Sequence, residues 1–268
     1  MKLLIQISDT HFGTEQAPVV ESLVRLVLDH SPELIILSGD ITQRARRSQF
    51  RAAKVFLSRL GKIPVLAIPG NHDIPLFSPA ARFLWPYCNY RHEISGDLEP
   101  EFETADLLVS ALNTTRWYRH IDGEVSEEQV ERVARRIECA TVNQLRIVVA
   151  HHPVYVVGPE DKHNLLHRYE SAVKRWAQAG ADLILGGHIH LPYVGALHES
   201  MDGLARRVWA IQAGTATSWR IRYDAGNSVN LIRYRTGLDE RCCVVERWDY
   251  RTGSQRFELV RSHDLNCE

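Results

Sequence analysis

Paired cysteines are missing from this sequence. Its five cysteines (Cys88, Cys139, Cys242, Cys243 and Cys267) are scattered and form no CxxC motif. That excludes a disulfide framework and a thiolate zinc site, and reads as reduced thiols in a cytoplasmic protein. A basic excess is missing too. The formal net charge is −1, whereas proteins that track nucleic acid carry a surplus of Lys and Arg, so no extended nucleic-acid binding is expected. No apolar run reaches the length of a membrane span, and the opening "MKLLIQISD" enters a strand pattern with no small-residue cleavage site behind it. No repeat, low-complexity tract or Gly/Ser/Pro linker interrupts the chain. Its 268 residues, 44% hydrophobic and 24% charged, therefore read as one globular domain spanning 1–268.

What the sequence does hold in quantity is histidine, 13 residues. His30, His92, His120, His198 and His263 stand in polar or loop settings and read as surface scatter. The remainder follow a pattern set by the strands. The runs "KLLIQIS", "ELIILSG", "PVLAIPG", "DLLVSALN", "LRIVVAH" and "DLILGGH" are short, rich in Ile, Val and Leu, and lack clean alternation, as strands buried on both faces do. Helical patterns lie between them: "APVVESLVRLVLDH" with Pro18 in its first turn, "RRSQFRAAKVFLSRLG" stopping at Gly61, "SEEQVERVARRIECA" opening on Ser126, and "RYESAVKRWAQAG" stopping at Gly180. This alternation predicts a parallel-rich sheet layered with helices. Residues 206–262 change texture to strands and turns, which predicts an antiparallel continuation completing a second sheet. Residues 74–104, with four prolines and a run of aromatics, read as a cap-like excursion or as a loop packed over the core.

The strands end alike. Past their carboxyl ends stand Asp9 and His11, Asp40, then Asn71, His72 and Asp73, then His151 and His152, and last His188 and His190. In open α/β sheets ligands bind in the crevice outside these ends. Asp9 and His11 are two residues apart, as are His188 and His190, and in extended backbone each pair would point to one side. Gly39, Gly70, Gly186 and Gly187 allow close backbone approach. Imidazole, carboxylate and amide oxygen together suit Mn, Fe or Zn, and seven ligands suit two divalent ions sharing a carboxylate, an arrangement fitted to in-line displacement at phosphorus.

The ordered set "DTH", "GD", "GNHD", "HH" and "GHIH" resembles the calcineurin-like metallophosphoesterase superfamily, most closely its bacterial class III cyclic-nucleotide phosphodiesterase-like members. The resemblance implies an α/β fold, a four-layer α/β/β/α sandwich of two mixed sheets flanked by helices. It implies one metal held by Asp9, His11, Asp40 and His190, and a second held by Asp40, Asn71, His151 and His188, with Asp40 bridging. His72 would face the scissile phosphate without binding metal, Asp73 would orient it, and a metal-bridging hydroxide would attack phosphorus. His152 stays open, as a group behind the ligands or a packed neighbour.

Substrate residues are less marked. "NTTRWYR" and "TATSWRIR" offer Arg116 and Trp219 for the organic part of a phosphate ester, and "QRARR" from Gln43 offers an anion site near the metals. The expected partner is a small-molecule phosphodiester, either a cyclic nucleotide or a glycerol- or lipid-linked diester. The alternatives are a phosphomonoesterase, nucleotidase or nuclease of the same fold, and a non-catalytic scaffold. A homodimer is compatible with the resemblance.

Overall fold

The computed structural model describes residues 1–222, 225–237 and 242–267. The chain opens with β1 (Lys2–Ile7), α1 (Ala17–His30), β2 (Leu34–Ser38), α2 (Arg47–Ser58) and β3 (Val65–Ile68). Two short helices follow, α3 (Pro79–Leu84) and α4 (Cys88–Glu93), then β4 (Glu101–Thr104), β5 (Leu107–Ala111), α5 (Glu127–Glu138) and β6 (Leu145–Val149). Next come α6 (Tyr169–Ala179), β7 (Leu183–Gly186), β8 (Tyr193–Ala196), α7 (Leu197–Ser200) and β9 (Trp209–Gln212). The last strands are β10 (Ser228–Arg235), β11 (Cys242–Arg251) and β12 (Arg256–Leu265).

Two mixed six-stranded sheets result, in the orders β12-β11-β10-β1-β2-β3 and β4-β5-β6-β7-β9-β8. Leu4, Ile36 and Ile68 of the first sheet pack between the sheets against Val109, Ile147 and Leu185 of the second. The outer face of the first sheet is covered by α1 and α2 and that of the second by α5 and α6. This is the expected α/β/β/α sandwich. Burying each such Leu or Ile contributes about 1.5–3 kcal/mol, and strands covered on both faces need no polar side, hence their unbroken apolar spelling. Local signals hold as well. Ser126 caps α5 by accepting from Gln129 N (3.2 Å) while Gln129 returns its side chain to Ser126 N (3.0 Å), and Gly180 ends α6 at φ 112°.

One expectation is corrected. Only β9 of the strand-rich stretch enters the second sheet, whereas β10 pairs antiparallel with β1 and carries β11 and β12 with it into the first. The free edge of β1 accepts β10 because their inner faces share one apolar layer, in which Ile232 and Tyr234 join Leu4. Residues 74–104 combine exposed and buried parts: Phe77, Phe83 and Trp85 are exposed, and Phe77 stands under Arg44 of the cavity wall described below. Their last four residues are β4, an edge strand on β5, and Tyr90 is buried with its hydroxyl donating to Ala67 O (2.7 Å).

α4 is too short to persist alone and is clamped to α2 through Glu93. Arg47 and Arg51 donate to its Oε1 (3.0 and 3.3 Å) and Lys54 approaches its Oε2 (3.5 Å). The bond from Arg47, with Arg51 and Lys54 behind it, pulls the Glu93 carboxyl down to about 2 against the opposing effect of burial. A depressed folded-state value contributes stability above the ordinary carboxyl range and loses it as pH falls. Glu93→Gln should therefore lower the melting temperature at pH 7, and the gap from wild type should close between about pH 4.5 and pH 2. A gap that does not change with pH would mean the carboxylate charge is not what holds α4.

Candidate metal centre

β1, β2 and β3 run parallel, as do β5, β6, β7 and β9, so each sheet delivers its carboxyl-end loops to one rim. The backbone on that rim is strained. Asp9 (φ 52°), His11 (44°), Asp40 (50°), His188 (75°) and His190 (57°) all lie in the left-handed region, which non-glycine residues occupy only when their surroundings force it. The extended spacing expected for Asp9/His11 and His188/His190 is thus corrected. Asp9 and His11 still meet, but His188 and His190 part to different neighbours. Bonds across the loops enforce the conformation: Asp9 N donates to Gly39 O and His11 N to Asp40 O (both 3.0 Å), and Ala216 N donates to Ser8 O (2.9 Å). Thr215 and Thr217 hydroxyls donate to Asp9 O (2.6 Å) and Thr10 O (2.9 Å).

Two donor sets converge. Asp9, His11, Asp40 and His190 place one ligand atom each within 4.8 Å of one another and could hold a metal ion. His190 Nδ1 donates to Arg220 O (2.6 Å), which leaves its Nε2 as a lone pair facing His11 Nε2 (3.0 Å) and Asp9 Oδ1 (3.2 Å). His11 Nδ1 is buried without a partner. In the second set His151 Nδ1 donates to Ser38 O (2.9 Å), which turns its Nε2 to Asp40 Oδ1 and Asn71 Oδ1, both at 3.3 Å. His188 Nδ1 lies 3.0 Å from the same Asn71 oxygen. Burial opposes charge on His151, but Asp40 and Asp9 outweigh it and push the ring up to about 9. Burial likewise opposes charge on Asp9, yet His190 and His151 hold it at about 2. A spot where buried carboxylates stay ionised and draw positive charge onto an imidazole calls for a cation, so these residues fit divalent ions.

His152, also close to His151 and His188, has both nitrogens committed, Nδ1 to Thr114 Oγ1 (2.7 Å) and Nε2 to Ile121 O (2.9 Å). It is a packed neighbour that ties the 113–121 loop to β6.

Asp73 does not orient His72, which corrects the expected role. Its carboxylate accepts from Gly70 N (2.9 Å), Ile41 N (3.0 Å), Thr42 N and Thr42 Oγ1 (both 2.8 Å), so it locks the Asn71 turn to the Asp40 loop. His72 Nδ1 instead donates to Gln43 O (2.9 Å). Arg116 is corrected as well. Its Nη1 donates to Asn113 O and Thr115 O (both 2.9 Å) and its Nη2 to Gln129 Oε1 (2.6 Å), which spends it on tying its own loop to α5. Trp219 is 70% exposed and lies outside the cavity; its neighbour Arg220 lines it. That cavity, about 620 Å³, is lined by Asp40, His72, His188 and His190 of the centre together with Arg44, His120 and Arg220. His120 is therefore not surface scatter. The overlooked groups had a signal, since "AIQAGTATSWR" is one more strand ending in glycine and polar residues.

A four-layer sandwich with a carboxylate–imidazole cluster buried at its strand ends defines a class, the metal-dependent hydrolases of phosphoric esters. Within it, the chain belongs to the calcineurin-like phosphoesterase family, whose model matches residues 3–192. It is similar to a probable cyclic nucleotide phosphodiesterase of Synechococcus sp., 23% identical over 71% of this chain and 74% of that one. A glycerophosphodiester phosphodiesterase of Enterobacter lignolyticus is 36% identical over 26% of this chain, and the match spans only 29% of that enzyme's length. Among solved structures, a dimetal phosphatase from Danio rerio superposes with a TM-score of 0.69 at 13% identity, covering 100% of this chain and 99% of the other, and shares the fold.

Gly70 tests how tightly the cluster is framed. A Cβ there would collide with the backbone N and Oδ1 of Asp40. Gly70→Ala should leave a folded protein, by circular dichroism, whose metal affinity in chelator competition falls about 10- to 100-fold. Unchanged affinity would show that Asp40 has room to move.

Proposed function

We propose that this chain is a dinuclear-metal phosphodiesterase, hydrolysing a cyclic nucleotide or a glycerol- or lipid-linked diester. One observation carries the reading. Asp40 turns its two oxygens to different donor sets, Oδ2 toward His11 (3.7 Å) and Oδ1 toward His151 (3.3 Å), as a carboxylate shared by two ions would. Asp9, His11 and His190 complete one set, and Asn71, His151 and His188 the other. Their mixed nitrogen and oxygen donors favour Mn, Fe or Zn over Ca or Mg. When bound, the ions supply Lewis acidity and an activated water for attack at phosphorus. The similarity to phosphodiesterases of two substrate classes supports a diester.

The chain's own residues do the rest. His72 N donates to Asp40 Oδ1 (2.8 Å), which holds the shared carboxylate and places the imidazole beside the centre. With Nδ1–H fixed on Gln43 O, the Nε2 edge is the one available to the phosphoryl group or the leaving oxygen. No helix among the described residues is long and apolar enough to cross a membrane.

Asp40→Ala should lose most of both ions and nearly all turnover, more than any single terminal ligand variant. Elemental analysis that still found about two ions per chain would remove the bridge. Paired assays on an aryl diester and an aryl monoester separate phosphodiesterase from phosphomonoesterase, and inactivity on both would leave a scaffold.

His72→Ala should keep its metal while turnover falls by about two to four orders of magnitude. The loss should be smaller for a nitrophenolate leaving group than for an alkoxide, since the former needs little help from a proton. Equal losses would assign His72 to the phosphoryl oxygens alone.

A further inference from the structure

Arg220 has no counter-ion among the described residues. Neighbouring arginines are engaged differently: Arg82 donates to Trp117 O and Pro75 O, Arg222 pairs with the Asp161 carboxylate at 2.8 and 2.9 Å, and Arg44, also on the cavity wall, stands over the Phe77 ring. Arg220 Nη1 touches only neutral groups, donating to His72 Nε2 (2.8 Å) and, at longer reach, to Gln43 Oε1 (3.4 Å). Its Nε and Nη2 have no partner among the described residues, and no carboxylate there pairs with it. The backbone is meanwhile fixed. Arg220 N donates to Ser218 Oγ (3.1 Å) and its carbonyl accepts from His190 Nδ1 (2.6 Å). One residue thus orients a candidate ligand with its main chain and extends a half-buried guanidinium into the cavity with its side chain.

We infer that Arg220 binds a non-bridging oxygen of the substrate's phosphate, on the His72 side of the cleft. The inference rests on reading the cavity as a phosphate-ester site. A guanidinium left without a carboxylate there is completed by an anion from outside, and its planar fork matches two phosphoryl oxygens. The Nη1 that now caps His72 Nε2 moves onto the phosphate as substrate enters, which frees that nitrogen to carry the proton it donates to the same group. Substrate then bridges Arg220 and His72, and the guanidinium meets the charge that grows on the equatorial oxygens as phosphorus becomes five-coordinate.

The test uses the full-length protein loaded with Mn and inorganic phosphate as the probe, titrated by calorimetry. Arg220→Ala should keep the metal content of wild type, because its carbonyl still holds His190, and should bind phosphate at least about tenfold more weakly. Its kcat/KM on an aryl diester should fall about 100- to 1,000-fold, with partial recovery in Arg220→Lys and on adding guanidinium ion to Arg220→Ala. If Arg220 only props His72, then removing it from a His72→Ala background will change nothing. If it binds phosphate directly, affinity will drop again in that background. Phosphate affinity equal to wild type in Arg220→Ala overturns the inference. The titration needs no turnover, so a wild type inactive on diesters would sink the phosphodiesterase reading while phosphate binding still decided the role of Arg220.

Discussion

The centre depends on one unfavourable arrangement, which is the crowding of imidazole nitrogens and carboxylates along one wall of the cavity. His11 Nε2, His190 Nε2 and Asp9 meet in one group, and His151 Nε2, Asn71 Oδ1 and Asp40 in the other. Left to themselves these groups would move apart, and the surrounding architecture prevents it. Five residues of the cluster sit in left-handed backbone, at about 1–3 kcal/mol each, against a net domain stability of only about 5–15 kcal/mol. The cross-loop bonds from Thr215, Thr217 and Asp73 are therefore requirements of the centre. A cation in each group turns the mutual repulsion into coordination, so metal loading should also stabilise the fold.

The sequence made much of this legible because two-sided burial leaves an unmistakable spelling. β1, β2, β3, β5, β6 and β7 each appear as an apolar run stopped by polar residues, and reading those stops brought Asp9, His11, Asp40, Asn71, His151, His188 and His190 to one rim. Where the spelling weakens, the strand order is not legible. β9 lies in a stretch whose other strands are antiparallel, and it was grouped with them although it runs parallel to β7. Its carboxyl end therefore went uncounted, and with it Thr215, Thr217 and Arg220. β4, "EFET", is an edge strand with alternating exposure and was lost inside a proline-rich segment.

Side-chain direction was the second thing the sequence did not carry. Trp219 and Arg220 are adjacent, yet one is exposed and the other lines the cavity. Asp73 follows His72 directly but accepts four bonds from Gly70, Ile41 and Thr42 and none from the imidazole. Arg116 looks suited to phosphate by type, but the carbonyls of Asn113 and Thr115 capture it first. Residue type sets what a group is able to do. The partners that reach it, chosen by backbone path, set which of those things it does.

The pairing of β1 with β10 has a consequence for synthesis. β1 lies inside its sheet, with β2 on one side and β10 on the other, and the register joins Lys2 to Tyr234. A chain emerging from the ribosome can match β1 with β2 early, but the opposite edge of β1 waits for a strand more than two hundred residues later. Throughout that interval a row of unpaired N–H and C=O groups on an apolar strand is open to other chains. Contacts of such long separation also form slowly. The last strands thus close the edge that stays adhesive longest, and a nascent chain halted before β10 would present it to whatever lies nearby.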